Sequence, residues 1–231
     1  AGDAQKAYDA GVTIGTYLKQ LGFNVDYAPV ADVLTNPGNT AIGTRSFGSD
    51  ASMVADMVIK ELEGLSSQGV FGAVKHFPGQ GGVSGDSHDG AVTLDKSLEE
   101  LMQTELVPFQ KALENGVSFV MVGHISVPQV VGDNTPASLS QMMVSNVLRE
   151  QLGYQGIVIT DAMNMGAVTG NYTADQAAVM AVNAGVDMIL MPQDYETAYN
   201  GLLQAVQDGT ISEERIDESV ERIVKVKLQM Q

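Results

Sequence analysis

The chain contains no cysteine, which excludes disulfides, thiolate nucleophiles and thiolate metal sites together. That absence suits an exported bacterial protein and a cytosolic one equally, so the compartment stays open. No run of about 18 apolar residues occurs, which argues against membrane insertion as a helix. Positive charge is scarce: 12 Lys and Arg stand against 28 Asp and Glu, for a net charge of −16. A surface of that sign argues against nucleic acid or anionic lipid as a partner. We read the acid excess as a solubility feature and attach no substrate preference to it. The first residues, Ala1-Gly2-Asp3-Ala4-Gln5-Lys6, have neither a basic start nor an apolar core, and no initiator Met precedes them. The expectation is a processed or truncated chain without a signal peptide.

What is present is globular in composition, with 44% hydrophobic and 17% charged residues over 231 positions. A helix-like amphipathic stretch followed by a short apolar run recurs five times. The runs are Val25 to Val30, Val70 to Lys75, Val117 to Gly123, Gly156 to Asp161 and Val186 to Met191. They are nearly continuous in Val, Ile, Ala, Phe and Met, the pattern of parallel strands buried on both faces. Each follows a glycine (Gly22, Gly69, Gly116, Gly153, Gly185) at a position suited to ending a helix in left-handed backbone. Ser97-Leu98-Glu99-Glu100 and Thr173-Ala174-Asp175-Gln176 fit capping boxes, and Ser140 fits an N-cap. Pro108 should kink or divide the third helix. The tail from Ser212 to Gln231 reads as a helix with Ile216, Val220, Ile223, Val224 and Leu228 on one stripe. No linker or repeat interrupts the pattern, so residues 1–231 are read as one domain.

Five βα units imply an α/β fold with a parallel sheet, either doubly wound or closed as a barrel. Polar residues decide between the two. They follow every run: Asp32, Lys75-His76, His124, Thr160-Asp161 and Pro192-Gln193. A barrel gathers all its βα loops at one mouth, whereas an open sheet concentrates ligands at one switch point. The even spread favours a (β/α)8 TIM-barrel-type fold.

The segment from Lys75 to His88 leads from a strand end into a loop with four glycines and then Asp86-Ser87-His88. It matches neither phosphate-cradle pattern, G-x-x-x-x-G-K or G-x-G-x-x-G. Asp86 and His88 are spaced so that the carboxylate can hold one imidazole nitrogen, making the other a general acid/base; a solvated loop pair is the alternative. Asp161 ends its run either as a helix N-cap or as a group aimed into the mouth. His124 has the same ambiguity, with a satisfied structural histidine as the plainer choice. Arg45 offers a planar donor fork to a sugar hydroxyl or carboxylate, or else makes a loop-bracing ion pair. A metal site assembled from His76, His88 and Asp161 lacks any supporting spacing. A nucleotide site of the Rossmann type would need a glycine-rich first turn, and Ala31-Asp32-Val33-Leu34 is not one.

Taken together, the residues resemble glycoside hydrolase family 3, in its bacterial β-N-acetylglucosaminidase (β-hexosaminidase) branch. The resemblance runs from about Leu21 to the end. It rests on Gly22-Phe23-Asn24-Val25-Asp26-Tyr27-Ala28-Pro29-Val30, Ile42-Gly43-Thr44-Arg45-Ser46-Phe47-Gly48, Lys75-His76-Phe77-Pro78-Gly79 and Asp86-Ser87-His88. Pro136-Ala137-Ser138-Leu139-Ser140 and Gly156-Ile157-Val158-Ile159-Thr160-Asp161 complete the set. The resemblance implies that Asp161 is the nucleophile, His88 the acid/base with Asp86 as dyad partner, and Arg45, Lys75 and His76 sugar-binding residues. It implies a retaining exo-enzyme acting on a carbohydrate substrate with no cofactor and no metal. The loop histidine, and Thr160-Asp161-Ala162-Met163 in place of a Ser-Asp-Trp run, favour this branch over β-glucosidase. A β-glucosidase, a glycoside phosphorylase and a non-catalytic sugar-binding fragment are the alternatives. Two departures stand out. Gln80 replaces a histidine usual in the family. The family's Asp-Gln-Glu-Gly-Gly-Arg run is also missing ahead of Gly22. The expectation is a C-terminal fragment lacking about three βα units, with closure supplied by a missing N-terminal segment, a second copy or covering helices.

Overall fold

All five glycines expected to stop helices hold left-handed backbone in the computed structural model, which describes residues 2–88 and 90–230. Their φ angles are +84°, +72°, +73°, +72° and +110° for Gly22, Gly69, Gly116, Gly153 and Gly185. In chain order the elements are α1 (Ala4–Gln20), β1 (Val25–Asp26), α2 (Ala51–Ser67), β2 (Phe71–Phe77), β3 (Val92–Thr93), α3 (Leu98–Gln103) and α4 (Val107–Glu114). There follow β4 (Phe119–Val122), β5 (Ile125–Ser126), α5 (Pro128–Val131) and a π-helical segment, Met142–Gln151. The last elements are β6 (Ile157–Thr160), α6 (Gly166–Thr169), α7 (Ala174–Ala184), α8 (Tyr195–Gln207) and α9 (Glu213–Gln229).

The chain divides into two compact units, residues 2–84 with 98–121 and residues 85–97 with 122–229. In the first unit the strand order is β1-β2-β4, and β1 lies parallel to β2 with Val25 opposite Phe71 and Asp26 opposite Gly72. The expected strand from Val25 to Val30 is shorter than its apolar run. Pro29 has no N–H to donate; the Ala28 and Pro29 carbonyls still accept from Ala73 and Lys75, and an isolated bridge pairs Val30 with Lys75. Pro108 divides the third helix as expected, ending up in the first turn of α4. The buried side of α1 is Ala7, Gly11 and Gly15. A Cβ on Gly11 would come within 2.4 Å of the Glu61 carbonyl, so α1 and α2 meet at backbone distance. Phe77 of β2 and Phe109 of α4 pack edge to face at 5.5 Å, both fully buried.

In the second unit β6 is buried at all four positions. The run from Val186 to Met191 does not form the expected strand and keeps one bridge, Ile159–Met188. Asp187 and Met188 both donate their N–H to the Val158 carbonyl, while the Leu190 N–H goes to the Thr160 hydroxyl. Side-chain competition for a ladder position, together with a φ of +46° at Met191, ends the pairing. A small parallel pair absent from the sequence reading joins β3 to β5, Val92 opposite Ile125 and Thr93 opposite Ser126. Thr173 and Gln176 form the capping box expected at the start of α7. The Ser140 hydroxyl accepts the Met143 N–H at 3.4 Å, as an N-cap would. Val182, Ala205 and Ile211 form a core beside Ile189, Leu202 and Ile216. The buried side of α9 differs from the expected stripe. Ser219 and Val226 are buried, while Val220, Val224 and Leu228 are 48%, 46% and 62% exposed. Gln231 lies outside the described residues.

Candidate active site

The expected site residues fall into two sets, one in each compact unit. In the first unit, Asp32 follows β1 and is wholly buried. One of its oxygens accepts the backbone N–H of Gln80 at 2.6 Å and of His76 at 3.2 Å. The other lies 2.7 Å from Nδ1 of His76. A carboxylate accepts, so that imidazole carries its proton on Nδ1. Gly81 lies so close to the segment after Asp32 that a Cβ there would meet the Val33 carbonyl at 2.0 Å. Gln80 is buried, and its carbonyl accepts from the Asn39 side chain at 2.7 Å. The residue that departs from the family pattern is therefore a packing element of the loop. The Lys75–His76 and Phe77–Pro78 peptide bonds are both cis.

Lys75, half-buried, lies in the field of two carboxyls. Burial pushes Glu61 up to about 7; Asp26 adds to the rise and Lys75 opposes it. Burial also raises Asp26, again against Lys75. Arg45 is exposed and turns back on its own loop, donating from Nε and Nη2 to the Ala41 carbonyl at 3.2 and 2.6 Å.

The second unit holds Asp86, His88, His124 and Asp161. One oxygen of Asp86 accepts both the His88 backbone N–H at 2.9 Å and Nδ1–H of the ring at 2.7 Å. The dyad is open to solvent, with side-chain exposures of 39% for Asp86 and 64% for His88. Its loop is tied down on both sides. The Ser87 and His88 carbonyls accept from the N–H groups of Ala167 and Gly166 at 3.1 Å each, just past Asp161. Beyond the dyad, β3 pairs with β5. Asp161 is half-buried directly after β6. Its N–H goes to the Val122 carbonyl at 2.9 Å, and its Oδ1 accepts the Ala162 N–H at 2.8 Å. That bond is local to one peptide and does not cap a long helix.

Sequence reading gave no role to Asp32 or Ser138. Asp32 was visible as a carboxylate after an apolar run, but its three hydrogen-bond donors come from residues 76–80, over forty positions away. Ser138 was visible only as part of a motif. Among the described residues no group of three or more His, Asp or Glu side chains is arranged to hold a metal ion, the considered set of His76, His88 and Asp161 included.

The chain is similar to known proteins over nearly its whole length. It is 36% identical to "Beta-hexosaminidase LpqI" of Mycobacterium bovis, across 96% of this chain and 59% of that protein. A solved β-N-acetylglucosaminidase of glycoside hydrolase family 3 from Paenibacillus sp. str. FPU-7 superposes with a TM-score of 0.97 at 42% identity. It covers 99% of this chain and 44% of the other. A structure named "Beta-glucoside phosphorylase BglX" gives a TM-score of 0.95 at 28% identity, with 99% and 43% covered. The chain thus spans about two fifths to three fifths of the length of these relatives. Its α/β fold is of the (β/α)8 TIM-barrel type. The model of the glycosyl hydrolase family 3 N-terminal domain matches residues 1–226, which lends no support to an absent first third of that domain. With strand-end carboxylate, loop histidine and buried Asp32 in one chain so matched, the chain belongs to glycosyl hydrolase family 3 through its N-terminal domain.

Proposed function

We infer that the protein is a retaining exo-β-N-acetylglucosaminidase, releasing terminal β-linked N-acetylglucosamine from peptidoglycan-derived or similar glycans. Asp161 attacks the anomeric carbon while His88 gives its Nε2 proton to the departing oxygen. A glycosyl ester on Asp161 results. His88, now neutral, then takes a proton from the water that cleaves the ester. Asp86 fixes the ring with its proton on Nδ1 and stabilises the imidazolium. Arg45, Lys75 and His76 hold the sugar hydroxyls, His76 with its tautomer set by Asp32. No cofactor enters the cycle.

The observation that supports this most is the Asp86–His88 pair at 2.7 Å, on a loop bonded to the backbone just past Asp161. A bond of that length holds the ring on Nδ1 and leaves the exposed Nε2 facing outward for proton transfer. A histidine acid/base also keeps a second carboxylate away from the nucleophile. That leaves room for an anionic acceptor, so phosphorolysis is the second reading, in line with the similarity to a protein named as a phosphorylase.

Both are tested on the full-length protein with p-nitrophenyl N-acetylglucosaminide and glucoside, with and without inorganic phosphate. Preferred release from the N-acetylglucosaminide, as the free sugar, supports the hydrolase. A sugar phosphate product moves the assignment to phosphorolysis, and no turnover of either substrate rejects both. Replacing His88 by Ala should slow substrates with poor leaving groups about 10²- to 10⁴-fold. Activated aryl substrates should lose much less in the glycosylation step. Equal loss across the leaving-group series contradicts a proton-donating role.

A further inference from the structure

His124 sits between β4 and β5, 1% exposed, with both ring nitrogens in short contacts. Nε2 is 3.0 Å from the Ala162 carbonyl and Nδ1 is 2.7 Å from the Ser138 hydroxyl. A carbonyl only accepts, so Nε2 carries a hydrogen, and the Ser138 hydroxyl is free to donate to Nδ1. A buried imidazole needs such partners wherever it sits, and satisfaction alone would make it a packing residue. Its target is what separates it from one. Ala162 is the residue whose N–H is bound by Oδ1 of Asp161 at 2.8 Å. The two peptides that meet at Ala162 are thereby held, one at its carbonyl by His124 and the other at its N–H by the carboxylate.

The surrounding backbone follows the same pattern. The Val122 carbonyl, two residues before His124, accepts the N–H of Asp161 itself. The Gly123 carbonyl accepts the N–H of Ser138 at 3.2 Å, which seats the hydroxyl against the ring. One residue after His124, β5 begins to pair with β3, the exit of the Asp86–His88 loop. A single four-residue stretch of chain thus supports Asp161 on one flank and the dyad loop on the other.

The geometry points to His124 as a positioning residue for Asp161, oriented by Ser138; this rests on Asp161 being the nucleophile. His124 acts through Ala162. By holding the Ala162 carbonyl it restrains the backbone at that residue, and so the adjoining peptide whose N–H the Asp161 carboxylate accepts. Ser138 gives Pro136-Ala137-Ser138-Leu139-Ser140 a place in the same device, although the motif supplies no group to the chemistry.

The test is the rate at which a 5-fluoro N-acetylglucosaminyl donor traps the full-length protein, with the labelled peptide mapped. His124→Ala should trap roughly 10- to 100-fold more slowly, since misplacing a reacting group by about 1 Å costs up to that much. Its affinity for the donor before trapping should stay near wild type. His124→Gln, whose amide can still donate to the Ala162 carbonyl, should recover most of the rate. Ser138→Ala should lose several-fold. Trapping of His124→Ala at the wild-type rate, or no rescue by Gln, overturns the proposal while leaving the nucleophile intact. Where His124→Ala does not fold, the Gln and Ser138 variants decide: Ser138→Ala at full rate overturns it. A label on any residue but Asp161 in the wild type removes the nucleophile reading and this one together.

Discussion

At the scale of single residues, the two kinds of carboxyl in the chain separate by environment. Glu61 is pushed up to about 7 by burial and by Asp26, from an ordinary value of 4.5. Its folded form therefore holds a proton that the unfolded chain gives up. The sign follows: the folded state binds more protons between about pH 4.5 and 7, so stability falls as pH rises through that window. At roughly 1.4 kcal/mol per pKa unit, the loss is on the order of 3 kcal/mol at most. Urea unfolding from pH 5 to pH 8 should show this decline, and Glu61→Gln should flatten it. An unchanged slope in the variant would assign the dependence to other groups. Residue types with chemistry were legible in the sequence: Asp161, His88, Asp86, Lys75 and His76 all stand out by position. Their supporting partners were not, because Asp32 and Ser138 are ordinary residues until a fold brings His76 and His124 against them.

At the scale of elements, the clearest lesson lies between β6 and α9. Three of the four arginines in the chain surround one carboxylate, Asp187, whose side chain is wholly buried. Arg149 of the π-helical segment donates to it, as do Arg222 and Ser219 of α9 and the N–H of Val158. Burial draws the Arg149 and Arg215 guanidiniums below their usual range, and Asp187 opposes the fall in both. Removing one side of such a cluster leaves buried charge uncompensated. Asp187→Asn should therefore cost about 3–5 kcal/mol in urea unfolding; a cost under about 1 kcal/mol would show the cluster is solvated. The same cluster explains why Val186 to Met191 was legible as apolar but not as a non-strand. Asp187 leaves the ladder pattern to serve the arginines, and Thr160 takes the Leu190 N–H. On α9 the apolar stripe read from the sequence and the buried face differ for the same reason: Ser219 and Arg222 turn inward to Asp187, leaving Val220 and Val224 exposed.

At the scale of the whole molecule, the helix–glycine–strand rhythm carried the fold class. Left-handed glycines and buried strands are local consequences of composition, and they recur as expected. Long-range features were hidden, above all the β3–β5 pair that anchors the dyad loop, since two-residue strands leave no periodic trace. The proposed cycle turns on Asp161 forming the covalent bond to the sugar. Peptide mapping after labelling the full-length protein with a 5-fluoro N-acetylglucosaminyl donor tests it most directly. The predicted result is one glycosylated peptide, modified on Asp161 and absent from Asp161→Asn. A label on another residue, or potent inhibition by a thiazoline that mimics substrate-assisted catalysis, would contradict it.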